Sequence, residues 1–267
     1  MSGRKLAVGG GIGGIVVAIL YLLLGGDLGD SVQDLQLSPQ IGGPAESRPL
    51  TAEEQDAGKF VSVILADTED VWNTLFSGQG KSYLEPRLVL FSDLTTSGCG
   101  TAQSASGPFY CPEDRTVYID LGFFAEIQKR LNAPGDFAMA YVIAHEVGHH
   151  VQNQLGIMDR VMSQQSRMDE REFNQVMVRL ELQADFLAGV WAHHAQRMQN
   201  ILEEGDVEEG INAAGAVGDD RIQRMTQGYV VPDAFTHGTS EQRIRWFLKG
   251  FKTGDLSQGD TFAADDL

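Results

Sequence analysis

The chain has 267 residues and a formal net charge of −17. That length suits one domain of ordinary size with room for a tail or an anchor, and 42% hydrophobic residues suit a packed core. So acidic a balance argues against a nucleic-acid partner, because phosphates would be repelled.

Arg4 and Lys5 precede an uncharged run, LAVGGGIGGIVVAILYLLLGG, residues 6–26, and Asp27 and Asp30 follow it. About 20 apolar residues cross a bilayer as a helix, and basic residues ahead of the run keep the N-terminus in the cytoplasm. Residues 1–26 therefore read as a cytoplasmic tip and one uncleaved transmembrane anchor. The rest of the chain would then lie outside the cytoplasm, in a periplasm or beyond the cell. A cleaved signal peptide is the rival reading, but ILYLLLGGD ends the run without a clear small-x-small site. Gly9, Gly10, Gly13 and Gly14 form two G-x-x-x-G pairs that would let anchors pack into a homo-oligomer. A glycine-rich anchor with no partner reads equally well.

Residues 27–50 carry SPQIGGPAESRP and little periodicity, so they read as a linker. Thr51 followed by acids marks a helix start, and Phe60, Ile64, Val71 and Leu75 recur at helical spacing after it. RLVLFSD, residues 87–93, and TVYIDL, residues 116–121, read as strands. Between them lie the chain's two cysteines, Cys99 and Cys111, in a small, polar, turn-rich stretch. In an oxidising compartment they would pair across that loop, worth roughly 3 kcal/mol.

GFFAEIQKRL reads as a short helix. APGDFAMAYVIAHEVGHHVQNQLG reads as a strong one, capped by Asp136 and ended by Gly156. Further helical stretches run from about Asp169 to Leu202 and over SEQRIRWFLKGF, with a polar, partly helical segment between them. The last residues, SQGDTFAADDL, read as acidic and mobile. The folded domain is set at 51–255 and the tail at 256–267.

Within the strong helix, HEVGH is H-E-x-x-H. His145 and His149 are four apart, so both project from one face and can share a metal ion, with Glu146 beside them to handle a water. His150 points about a hundred degrees away and is not read as a ligand. Zinc needs a third protein ligand and keeps a fourth position open. ELQAD, residues 181–185, offers one: Glu181 would bind the metal, and Asp185 would fix a ligand histidine by accepting its second N–H. Two carboxylates within apolar VRLELQADFLAGVWA would be costly unless paired or bound. Gly148, Ala188 and Ala192 are small enough to let the two helices approach closely. His193 and His194 read as structural.

HEVGHH followed by ELQAD resembles the gluzincin pattern. SGCG, GPFYCPED, VYIDLGFF, AHEVGHHVQ, ELQAD and FTHGTSEQRIRWFLKGF together resemble the bacterial putative neutral zinc metallopeptidase family over roughly residues 50–260. The resemblance implies an α+β fold: a mostly helical zincin-like domain with a small β-sheet, preceded by one N-terminal transmembrane helix. It implies one Zn2+ per chain on His145, His149 and Glu181, with Glu146 as catalytic base and a peptide or protein as substrate. THGTSEQRI also resembles the T-H-P-x-x-x-x-R-I segment of membrane-associated metallopeptidases, with Gly238 where those have proline. On that likeness His237 or Arg243 is a candidate oxyanion stabiliser, while a local packing role for His237 stays open.

The expected activity is hydrolysis of peptide bonds by a zinc-activated water, Glu146 acting as general base. A substrate would lie along the edge of the TVYID strand. Two other readings stand beside it: a metal-binding but inactive membrane-tethered interaction domain, and a zinc hydrolase acting on something other than peptides.

Overall fold

A computed structural model describes residues 49–92, 94–103, 107–123 and 135–267. The anchor, residues 27–48 of the linker and most of GFFAEIQKRL lie outside the described residues. No helix among the described residues is long and apolar enough to cross a membrane.

The described chain is mostly helical with a small sheet. It begins with α1 (Ala52–Gly78), where Thr51 and Glu54 cap each other reciprocally. A three-stranded sheet follows, built from β1 (Arg87–Phe91), β4 (Phe109–Cys111) and β5 (Thr116–Asp120) in the order β1-β5-β4. β5 runs parallel to β1 and antiparallel to β4. The stretch between β1 and β4, expected to be a loop, folds into a hairpin of β2 (Leu94–Ser97) and β3 (Gly100–Gln103). Cys99, at the tip of that hairpin, is disulfide-bonded to Cys111 on β4, 12 residues away. Because β5 is the middle strand, it has no free edge. The expectation of a substrate along TVYID is therefore corrected: the outer strands are β1 and β4.

Two long helices make the centre: α2 (Asp136–Gln154) and α4 (Glu170–Gln199), linked by α3 (Ile157–Met162). Then come α5 (Asp206–Ala216), α6 (Asp219–Gln227) and α7 (Ser240–Thr253). Asp136 does not cap α2. Gly135, at φ 114°, holds the N-cap position and offers no side chain. Glu209 of α5 accepts the Phe137 N–H instead, at 3.1 Å. Asp169 does cap α4, accepting from Glu172 N at 2.8 Å, and Gly156 follows α2 in the left-handed region at φ 68°.

Residues 180–192 of α4 are buried without a break. A helix covered on every side leaves little room for large side chains wherever a neighbour crosses it. At the crossing with α2, a Cβ on Gly148 would lie 3.0 Å from the Ala184 carbonyl oxygen. At the crossing with α7, a Cβ on Gly189 would lie 2.1 Å from Phe247 O, and one on Gly250 2.0 Å from Phe186 O.

The C-terminal residues are not a loose tail. Thr261 is fully buried, and Phe262, Ala264 and Leu267 pack on the core. Arg179 of α4 donates to the carbonyls of Thr261 and Ala264. Four residues from the acidic end thus join the domain, because an arginine on α4 needs carbonyl partners.

Gly189→Ala is expected to force α4 and α7 apart and to destabilise the protein by at least about 2 kcal/mol. Chemical denaturation checks this, and an unchanged midpoint would mean that the two helices are not locked at this crossing.

Candidate metal centre

The Gly148–Ala184 crossing presents the buried face of α2 to α4. His145 Nε2 lies 3.2 Å from Glu181 Oε2, and His149 Nε2 lies 3.5 Å from Glu181 Oε1. Ligand atoms of the three residues lie within 4.8 Å of one another, and all three residues are buried. Glu181, expected from ELQAD to be the third ligand, is the acid that faces the two rings. The helix crossing selects it.

Each ring is also held from behind. Asp185 Oδ1 accepts from His145 Nδ1 at 2.9 Å, and Gln152 Oε1 lies 2.9 Å from His149 Nδ1. Both Nε2 atoms are thereby left facing the Glu181 carboxylate. The charge state of this cluster tests its fit to a metal. Burial works against an ionised Glu181, yet His149 and His237 outweigh it and hold the carboxyl well below its usual range. Burial likewise works against a protonated His145, yet Asp185 and Glu181 push the ring up to about 10. The cluster thus sets an ionised carboxylate against two imidazoles in a dry interior, a place that calls for positive charge. A divalent cation satisfies that demand, and three such ligands with an open fourth position match a catalytic zinc site. The residues fit the metal.

Asp185 is itself neutralised. Arg243 donates to it bidentately, Nε to Oδ2 at 2.8 Å and Nη2 to Oδ1 at 2.9 Å. Tyr141 also donates its hydroxyl to Oδ1. Burial raises the Asp185 pKa, but Arg243 and His145 bring it down to about 2. Arg243 also donates to the Val217 carbonyl and the Tyr141 hydroxyl. Its guanidinium is thus committed behind His145, and Arg243 falls away as an oxyanion stabiliser.

Glu146 lies beside Tyr110 of β4, whose backbone N–H favours the ionised carboxylate. Burial raises its pKa, and the neighbouring His149 and His145 offset only part of that rise. His150 points elsewhere, to the Tyr110 hydroxyl at 3.0 Å and the Leu84 carbonyl at 2.6 Å. His193 and His194 contact the carbonyls of Phe251 and Gly254 at the end of α7.

His237 is brought close enough to Glu181 for each to shift the other's ionisation. Asp219, at the start of α6, holds its loop: one oxygen accepts the N–H groups of Thr236, His237 and Gly238 at 2.8, 2.7 and 3.2 Å. The other oxygen lies 3.2 Å from His237 Nδ1. Burial lowers the His237 pKa, but Asp219 and Glu181 reverse this and raise it. Gly238 sits at φ 91°, a backbone that proline cannot adopt, so the departure from T-H-P-x-x-x-x-R-I is conformational as well as chemical.

The sequence profile described as putative neutral zinc metallopeptidase matches residues 1–262. The chain belongs to that family. Protein YpfJ of Escherichia coli strain K12 is 49% identical over 262 residues, covering 98% of this chain and 91% of that protein. Protein Rv2575 of Mycobacterium tuberculosis is 42% identical over 226 residues, covering 79% of this chain and 74% of that protein. Both relatives are described as uncharacterized. No solved structure matches the chain.

Sequence reasoning missed Gln152, Tyr141 and Asp219. Gln152 stands three residues after His149, on the same helix face, so its spacing could have signalled it. Tyr141, four residues before His145, shares that ring's helix face in the same way, whereas nothing local distinguishes Asp219.

Replacing Arg243 with Met would leave Asp185 ionised, buried and short of its main partner. A loss of about 3–5 kcal/mol in stability is expected, read by denaturant unfolding. A loss below about 1 kcal/mol, the range of an exposed pair, would show that Asp185 does not need this partner.

Proposed function

We propose that this family member is a membrane-anchored zinc endopeptidase working outside the cytoplasm. The observation that carries the reading is the closed His145–His149–Glu181 cluster with the buried Glu146 carboxylate beside it. Zinc there would supply a Lewis acid that activates water and polarises a carbonyl.

The chain's own residues divide the remaining work. Glu146, its pKa raised by burial, takes a proton from the attacking water and returns it to the leaving amine. A scaffold that only bound metal would have no use for a base at this place. His237 has Nδ1 engaged by Asp219 and Thr236, which leaves Nε2–H to donate to the developing oxyanion. β4 is an outer strand of the sheet, and the backbone of its Tyr110 lies beside Glu146. A peptide adding to that edge as a further strand would bring its backbone past the base. The disulfide and the apolar run at residues 6–26 behind Arg4 and Lys5 support an oxidising compartment on the far side of a membrane.

Purified protein spanning residues 48–267 is expected to carry about one zinc per chain, with Glu181→Ala losing it sharply. No zinc in either would reduce HEVGHH to part of a core helix. With a peptide substrate in hand, Glu146→Gln should keep the zinc and lose roughly 10²- to 10⁴-fold in turnover. Full activity in that variant would sink the mechanism.

A further inference from the structure

The two histidines of the cluster are held by different chemistry. An ionised carboxylate stands behind His145, while a neutral amide stands behind His149. We propose that Gln152 is the positioning residue of His149, and that the C-terminal segment, acting through Gln183, decides which nitrogen of that ring carries the proton. The inference rests on the metal-site reading for its purpose, but not for its geometry.

The chain of bonds has one consistent direction. Gln183 Nε2 donates to the Gly259 carbonyl at 2.8 Å. A carbonyl only accepts, so this end of Gln183 must be its NH2 group. Its oxygen then accepts from Gln152 Nε2 at 3.1 Å. Gln152 Nε2 also donates to the Leu180 carbonyl at 2.7 Å, a second fixed acceptor. Both bonds orient the Gln152 amide, so its oxygen faces His149 and accepts Nδ1–H at 2.9 Å. Nε2 of His149 is left facing Glu181 Oε1 at 3.5 Å. A flip of either amide would set oxygen against oxygen in a dry interior, where Gln152 is fully buried and Gln183 only 8% exposed.

The far end of the chain of bonds is firmly seated. A Cβ on Gly259 would lie 2.4 Å from a Phe186 ring carbon, so the segment passes directly over α4. Thr261 Oγ1 donates to the Arg179 carbonyl at 2.6 Å, and Arg179 donates back to the segment. Residues 256–267, read from sequence as a mobile tail, thus reach a metal ligand through two glutamines.

The test uses the full-length chain. Zinc affinity, measured by competition with a chromophoric chelator, should fall roughly 10- to 100-fold in Gln152→Leu. Gln152→Glu keeps an acceptor toward His149 but sets its second oxygen against the Leu180 and Gln183 oxygens, so it too should weaken zinc binding. Parent-like affinity in Gln152→Leu would overturn the proposal, since packing alone would then explain Gln152. A second readout is independent of metal. Long-range ¹⁵N–¹H spectra of histidine-labelled, zinc-free protein should show the Nδ1–H tautomer at His149, and a mixture in Gln183→Leu. An Nε2–H tautomer in the parent, or an unchanged spectrum in Gln183→Leu, overturns it. If the parent takes up no zinc, the metal reading fails while the tautomer still decides this one. If Gln152→Leu does not fold, Gln183→Leu replaces it in the affinity assay, where weakened binding supports the proposal and parent-like binding counts against it.

Discussion

The arrangement depends on how closely α2 can approach α4. Glycine at 148 lets the backbone of α2 come within contact of Ala184. A larger side chain there would push the helices apart by a fraction of the 8–10 Å interaxial distance usual for helices. That fraction matters, because the separation of the His145 and His149 rings from Glu181 is itself only 3.2 and 3.5 Å. The same logic repeats where Gly189 meets α7. α4 is therefore fixed from both sides, and its two carboxylates cannot drift from the rings they serve.

Close packing of this kind removes water, and the charges must then be settled within the protein. Asp185 is matched by the Arg243 guanidinium and two further donors. Among the described residues, Glu181 pairs with the imidazoles of His145 and His149. Of the two buried acids on α4, one is neutralised by the fold itself, and the other is left to attract a cation. This division explains why acids one helical turn apart have separate roles, and why Arg243 belongs to the structural half.

The sheet contributes both a buried core and an outer edge near the site. β4 is three residues long, yet it touches the site through the Tyr110 N–H and is tied to α2 through the Tyr110 hydroxyl, which contacts His150 and Asn153. The disulfide fixes the other end of β4 to the β2–β3 hairpin. A strand this short pairs weakly by its own ladder, so side-chain and covalent ties hold it at a constant distance from Glu146.

The sequence by itself determined what is local. Four-residue spacing put His145 and His149 on one helix face, Thr51 and Asp169 announced the starts of α1 and α4, and Cys99 and Cys111 lay near enough in sequence for a pairing to be expected. Those features depend on directions within one element or on neighbours a few residues away. Tertiary structure decided what faces what. It put Glu209 rather than Asp136 at the start of α2, placed Asp219 behind His237, and bound Arg243 to Asp185. It also made β4 the outer strand and drew residues 256–267 onto α4. Each of these contacts joins residues 17 to 85 positions apart or sets strand order. Such contacts follow from helix crossings and from the need to pair buried polar groups, and no periodicity in the sequence encodes them.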